Sequence, residues 1–145
     1  MANPNIQQGT LNRLLASVVC TTNPQLSVIS GFLAKEGISI AFEGDTSQLI
    51  QTMTGGVTSP EPYVFANVTI HLLRSQAIAS LYKTQIETNT SIGAIVVIPD
   101  SVTLIPYQLQ NCILQNVQEM TFDGNNAGFI VKIRGVYQIN SSLFV

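Results

Sequence analysis

Charge is scarce in this sequence. Only 10 % of its 145 residues are Asp, Glu, Lys or Arg, against roughly 25 % in an ordinary soluble domain. Six basic and eight acidic side chains leave a net charge of −2. No basic stripe is available, which argues against a nucleic-acid binder that works by phosphate neutralisation. Tryptophan is missing and aromatics reach only 7 %, with the tyrosines scattered along the chain. That weakens the case for a carbohydrate-binding module, which needs stacking platforms. A single histidine, His71, excludes a multi-histidine metal site. The two cysteines, Cys20 and Cys112, lie far apart and outside any CxxC, so neither a zinc site nor a thioredoxin-like motif is present. Both sit in apolar, strand-like surroundings and are expected to be buried free thiols. Long hydrophobic runs are also missing. The longest are short, such as Ile95 to Ile98, so no segment reads as a membrane-spanning helix. Met1 to Leu15 shows no charged-then-apolar signal layout.

What is there suits one domain with a real core. Apolar residues make up 46 % of the chain, which argues against wholesale disorder. Forty-eight residues are Asn, Gln, Ser or Thr, so the surface must be mostly neutral and polar. Such a surface desolvates more cheaply than one of Lys and Glu, and interface cores are depleted in charge. A freely diffusing domain normally keeps its charges for solubility. The composition therefore points to a chain largely covered by copies of itself. The plainer alternative is a low-charge secreted or periplasmic domain.

Along the chain, residues 1–9 read as a polar N-terminal arm with Pro4 and Gly9. Leu11 to Cys20 reads as a strand on the strength of Val18, Val19 and Cys20, although LNRLLAS also suits the start of a short helix. Asn23-Pro24 signals a turn. Gly37 to Glu43 alternates cleanly, with Ile38, Ile40 and Phe42 on one face and Ser39, Ala41 and Glu43 on the other. Residues 44–62, GDTSQLIQTMTGGVTSPEP, contain three glycines, two prolines and no basic residue. So long a connection is usually functional. A short hairpin fits inside it, with arms Leu49 to Thr54 and Val57 to Ser59 and a Gly55-Gly56 turn. Leu49, Ile50 and Met53 would project from it and need a partner to cover them.

Tyr63 to Leu73 is a further strand, with Ala66, Val68, Ile70 and Leu72 opposed to Phe65, Asn67, Thr69 and His71. Ser75 is placed to cap a helix over 75–88 whose stripe is Ile78, Leu81, Tyr82 and Ile86. Gly93 to Ile98 and Tyr107 to Phe122 read as strands, Asp123 to Asn126 as a turn, and Ala127 to Asn140 as the last strand. Residues 141–145 form a short tail. The sum is a mainly β (α+β) domain: an antiparallel barrel or sandwich of six to seven strands, one flanking helix and one long inter-strand loop.

Catalytic constellations are not visible. His71 lacks an orienting partner in the sequence pattern, and neither Cys20 nor Cys112 has a nucleophile context to pair with it. Glu43 and Asp45 flank Gly44 but lack the ligand count of a calcium loop, so turn chemistry is the better reading. Gly55-Gly56 is followed by no Lys-Ser/Thr and is no P-loop. No enzyme activity, metal or cofactor is expected.

The run GISIAFEGDTSQLIQTMTGGVTSPEPYVFANVTIHLLRSQAIASLYKTQIETN, followed by the YQLQNCILQ and GFIVKIRGVYQINSS strands, resembles the tail tube proteins of contractile-tailed bacteriophages. These are related in fold to the type VI secretion tube protein. The likeness covers Gly9 to Leu143 and is one of pattern rather than of a short motif. It implies a structural virion protein. Hexameric rings would stack helically into a hollow tube inside a sheath, and neighbouring strands would join around the lumen. Contraction would drive the tube through the host envelope and the genome would pass down its bore. The implied partners are further copies of the chain, the sheath protein, baseplate and tail-terminator proteins, a tape measure protein, and passing double-stranded DNA without specific binding. The protein would be made in the host cytoplasm.

On this reading the loop residues Asp45, Gln48, Leu49, Ile50, Met53, Pro60 and Glu61 make the contact between subunits or rings. A bore that bound phosphates would stall DNA, so a neutral or acidic lining is expected. Ser39, Glu43, Gln115 and Glu119 are the candidates for it. Lys132 and Arg134 would instead pair with acids at an interface. Two alternatives stand beside this reading. One is the tube of a type VI-like or other contractile injection system, whose bore would hold protein effectors. The other, from a different class, is a soluble β-sandwich ligand-binding module.

Overall fold

The computed structural model describes residues 16–73, 77–100, 104–118 and 128–143. Eight strands occur among them: β1 (Ala16–Cys20), β2 (Leu33–Glu43), β3 (Ser47–Gln51), β4 (Gly56–Pro60), β5 (Tyr63–Leu73), β6 (Ser91–Pro99), β7 (Tyr107–Gln118) and β8 (Gly128–Gln138). A single helix, α1 (Ala77–Thr88), links β5 to β6, and two 3-10 turns, Pro24–Leu26 and Ser30–Phe32, lie between β1 and β2. Six strands form one antiparallel sheet in the order β1-β6-β7-β8-β5-β2, and β3 and β4 stand apart as a hairpin. The sheet curls into a half-barrel with the one helix beside it, the mainly β architecture expected from the sequence.

The core follows from the period of two. On β5, Val64, Ala66, Val68, Ile70 and Leu72 are buried. Their neighbours on β8 are Phe129, Val131 and Ile133, which continue the same apolar layer. Leu109, Cys112 and Leu114 extend it onto β7, and Ile92, Ile95 and Val97 onto β6. Full burial of each such side chain is worth about 1.5–3 kcal/mol.

Curvature comes from bulges. The β6–β7 register slips on both sides of Gly93, and the β7–β8 register slips between Gln110 and Ile113. Gly93 and Asn111 both take left-handed backbone conformations there, with φ of 78° and 51°. A Cβ on Gly93 would stand 2.5 Å from Thr22 Oγ1, so both the backbone and the space require glycine. Extra residues in one strand of a pair bend the sheet and raise its twist. The concave side thus formed is closed by Leu26, Val28, Ile78 and Tyr82. The Tyr82 hydroxyl donates to the Leu26 carbonyl at 2.7 Å, and burial pushes its phenol pKa up. Asn23 Nδ2 donates to the Ile92 carbonyl at 3.1 Å, which ties the first 3-10 turn to the sheet.

Several boundaries differ from expectation. Of the predicted helical stripe, Ile78 and Tyr82 are buried, Ile86 is half-buried, and Leu81 is exposed. The short 3-10 turn beside α1 covers one turn of the stripe and leaves Leu81 to solvent. The last strand stops at Gln138, because Asn140 adopts φ 52° and leaves the sheet to bond elsewhere. The arm over 1–9, the Ser75 cap, the Asp123 to Asn126 turn and the chain end at 144–145 lie outside the described residues.

Candidate functional site

The segment between β2 and β5 folds as the β3–β4 hairpin, with Ser47 opposite Pro60 and Ile50 opposite Val57. Its arms are shifted from those expected. The chain turns over residues 52–55, not at Gly55-Gly56, because Thr52 closes the turn by bonding the Gly55 carbonyl through both its N–H and its hydroxyl. This register sets the β-branched Ile50 and Val57 directly across from each other. On the other face Leu49 lies over Gly56, where an added Cβ would meet Leu49 Cδ1 at 3.0 Å.

Both faces of the hairpin therefore carry apolar groups, and both are open. Leu49 is 75 % exposed and Met53 fully so, with Ile50 and Val57 about half exposed. Asp45 and Gln48 are also exposed, while Pro60 and Glu61 at the base are half-buried. The structure thus gathers all seven residues assigned to the protruding loop into one blade. Its base is held firmly. Asn140 Nδ2 donates to the carbonyls of Glu61 (2.7 Å) and Thr46 (3.2 Å), and the Glu61 N–H bonds the Thr46 carbonyl. The sequence pattern places Asn140 at the end of the last strand. Nothing in its local sequence marks it as a clamp on a segment some eighty residues earlier.

The second surface is the outer face of the sheet. Ser39 and Glu43 of β2 stand on it beside Thr69 and Phe65 of β5, and Lys132 and Arg134 of β8 stand beyond them on the same face. Arg134 Nη2 donates to Glu43 Oε2 at 2.6 Å, and Asn67 Nδ2 donates to Glu43 Oε1 at 2.6 Å. Those two hydrogen bonds, Asn67 first, hold the Glu43 carboxyl below its ordinary pKa. The guanidinium also lies over the Phe65 ring, 4.3 Å from its centroid. Arg134 finds its acid within its own chain, not across an interface. The proposed division between an acidic lining and cations placed elsewhere does not hold, since Ser39, Glu43, Lys132 and Arg134 share one face. Gln115 is exposed at the β7 bulge, three strands away from Ser39 and Glu43. Glu119 lies outside the described residues.

Phe42, Tyr107 and Tyr137 meet at the hairpin end of the sheet, with ring centroids 5.1 to 6.0 Å apart. The tyrosines are thus less scattered than their sequence positions suggest. The rings tilt against one another and cap that end of the core, which leaves no flat stacking platform.

His71 lies on the outer face of β5, and Cys20 and Cys112 lie in the core on the opposite side. The sheet separates the histidine from both thiols. Each thiol is free, and burial pushes each up to about 11. Among the described residues no three His, Cys, Asp or Glu side chains converge, and no helix is long and apolar enough to cross a membrane. No family model matches the sequence, and no curated protein does.

Proposed function

We propose that this chain is the repeating subunit of the inner tail tube of a contractile-tailed bacteriophage. The observation that carries the reading is the β3–β4 blade. An isolated two-stranded hairpin is marginal in water, and this one exposes Leu49, Ile50, Met53 and Val57 while its base is clamped to the body. A fixed apolar projection open on both faces fits insertion between two neighbouring copies. Charge-poor surroundings suit that burial.

The sheet edges support the same reading. Among the described residues β2 pairs only with β5, and the far edge of β1 is met by Val28 at Val18 and by the Ser27 hydroxyl at Cys20. Open edges invite pairing with another chain. Edge-to-edge joining of copies would close a ring, and a heterologous contact along the axis would extend it into a filament. The outer face of the sheet would then line the bore. Sheath, baseplate, terminator and tape measure proteins would meet the tube outside, at its ends and within.

Electron microscopy of the concentrated protein tests the proposal. Hollow rings or tubes are expected, and Leu49→Ser with Met53→Ser should abolish them while leaving a folded monomer. A wild-type protein that stays monomeric even with tail-initiation components overturns it. Packaged genome or protein effectors inside isolated tubes would separate a phage tail from another injection system.

A further inference from the structure

We infer that Glu43 is an internal mask that keeps the outer face of the sheet from holding the phosphate backbone of double-stranded DNA. The purpose of the mask rests on the tube reading above, but the masking is a property of one chain. The face carries Arg134 and Lys132 two residues apart on β8, where both side chains point the same way. Their cross-strand neighbours on β5 are Asn67 and Thr69, and Asn116 of β7 stands beside Lys132. Cations among amides and hydroxyls are the composition that contacts phosphates. Lys132 makes no ion pair among the described residues. Left free, Arg134 would make a second phosphate contact.

Glu43 prevents this. It reaches diagonally over β5 from the edge strand, and its two carboxylate oxygens are both engaged, one by Arg134 and one by Asn67. Asn67 thereby aims the carboxylate at the guanidinium. Phe65 supports the guanidinium from the ring side, which favours the position beside its acid. Glu43 meets the guanidinium at Nη2, while Arg134 Nε is buried without a hydrogen-bond partner. An exposed pair of this kind adds little stability. Its consequence, among the described residues, is to leave Lys132 as the one free cation on this face where β8 supplies two.

The mask is tested by fluorescence anisotropy of a labelled random-sequence DNA duplex with the full-length protein, over a salt series. Wild type should bind weakly. Glu43→Gln should bind more tightly at low salt, and the gain should shrink about threefold between about 50 and about 200 mM salt, the loss of roughly one added phosphate contact. Adding Arg134→Gln to Glu43→Gln should return binding to the wild-type level. Lys132→Gln, which leaves the pair intact, should lower the residual wild-type binding. Melting by circular dichroism verifies that each variant is folded. A folded Glu43→Gln protein with wild-type affinity overturns the inference, and so does a gain that survives Arg134→Gln. Should Glu43→Gln fail to fold, Ser39→Glu decides the matter. It sets an acid in the row of Thr69 and Lys132 and should lower residual binding, and unchanged binding counts against the inference. Tubes in the microscope with no gain in Glu43→Gln would keep the tube and remove the mask. A gain without tubes would keep the mask and remove the tube.

Discussion

Strands β5 and β3 each lie in an antiparallel pair and carry apolar side chains, yet they meet opposite fates. β5 gathers an apolar set on one face, whereas β3 sets Leu49 and Ile50 side by side, one on each face. β5 buries every second side chain between β2 and β8, with Ala66, Val68, Ile70 and Leu72 fully enclosed. β3 buries none. The difference lies in what stands over the apolar face. β5 runs through a curled sheet whose concave side is filled by α1 and the 3-10 turns. Among the described residues β3 has one partner strand and no second layer. Apolar residues in a strand thus do not by themselves decide whether they end in a core or at a contact with another molecule.

The sharpest test of that contrast compares equal truncations in the two regions. Ile70→Ala should cost about 2–5 kcal/mol, because it opens a cavity among residues that cannot collapse into it. Leu49→Ala should stay within about 0.5 kcal/mol, as exposed substitutions do. Chemical denaturation of the dilute protein reads both, and equal losses would break the comparison.

A smaller effect is expected where β8 runs past the bulge of β7. A Cβ on Gly135 would stand 2.5 Å from Cys112 Sγ and 3.4 Å from the Gln110 carbonyl. Gly135→Ala should therefore cost about 1–3 kcal/mol by overpacking, and Cys112→Ala in the same chain should recover part of it. Adding a methyl to a glycine of the exposed turn, Gly55→Ala, meets nothing within 4 Å and should be nearly neutral.

Tyr82→Phe removes the bond to the Leu26 carbonyl and leaves that acceptor unpaired in the core. A loss of about 1–2 kcal/mol is expected, measured by the denaturation midpoint.

The last effect is felt only at alkaline pH. Both thiols rise from an ordinary 9.0 to about 11 because burial disfavours the thiolate. Their folded pKa values exceed the unfolded ones, so their contribution to stability is complete below pH 9.0 and is lost as pH rises through about 11. A Cys20→Ala, Cys112→Ala protein should lack that alkaline decline. In native wild type neither thiol should react with a thiol reagent at neutral pH, and both should react on unfolding.

Strand β5 was legible to the residue, because Ala66, Val68, Ile70 and Leu72 alternate with Asn67, Thr69 and His71. The hairpin was legible as a segment but not in register. Gly55-Gly56 looked like a two-residue turn, whereas the pairing of Ile50 with Val57 and the bonds of Thr52 moved the turn by about two positions. Leu49, Ile50 and Met53 are exposed as the sequence suggested, since a separate two-stranded hairpin gives them no second layer to pack on among the described residues. The outer face was misread. Ser39 and Glu43 were assigned apart from Lys132 and Arg134, which join them only through the order β8-β5-β2.

Local pattern by itself settled the strand content, the buried set, the two inert thiols and the low-charge surface, because each depends on composition or on the period of two. Tertiary structure alone decided three things. It brought Asn140 to the base of the hairpin, gathered Phe42, Tyr107 and Tyr137, and joined Glu43 to Arg134 across a third strand. The physical reason is common to all three. Strand order and bulges are set by how the curled sheet closes over its core, and contacts between residues tens of positions apart follow from that closure rather than from any local signal.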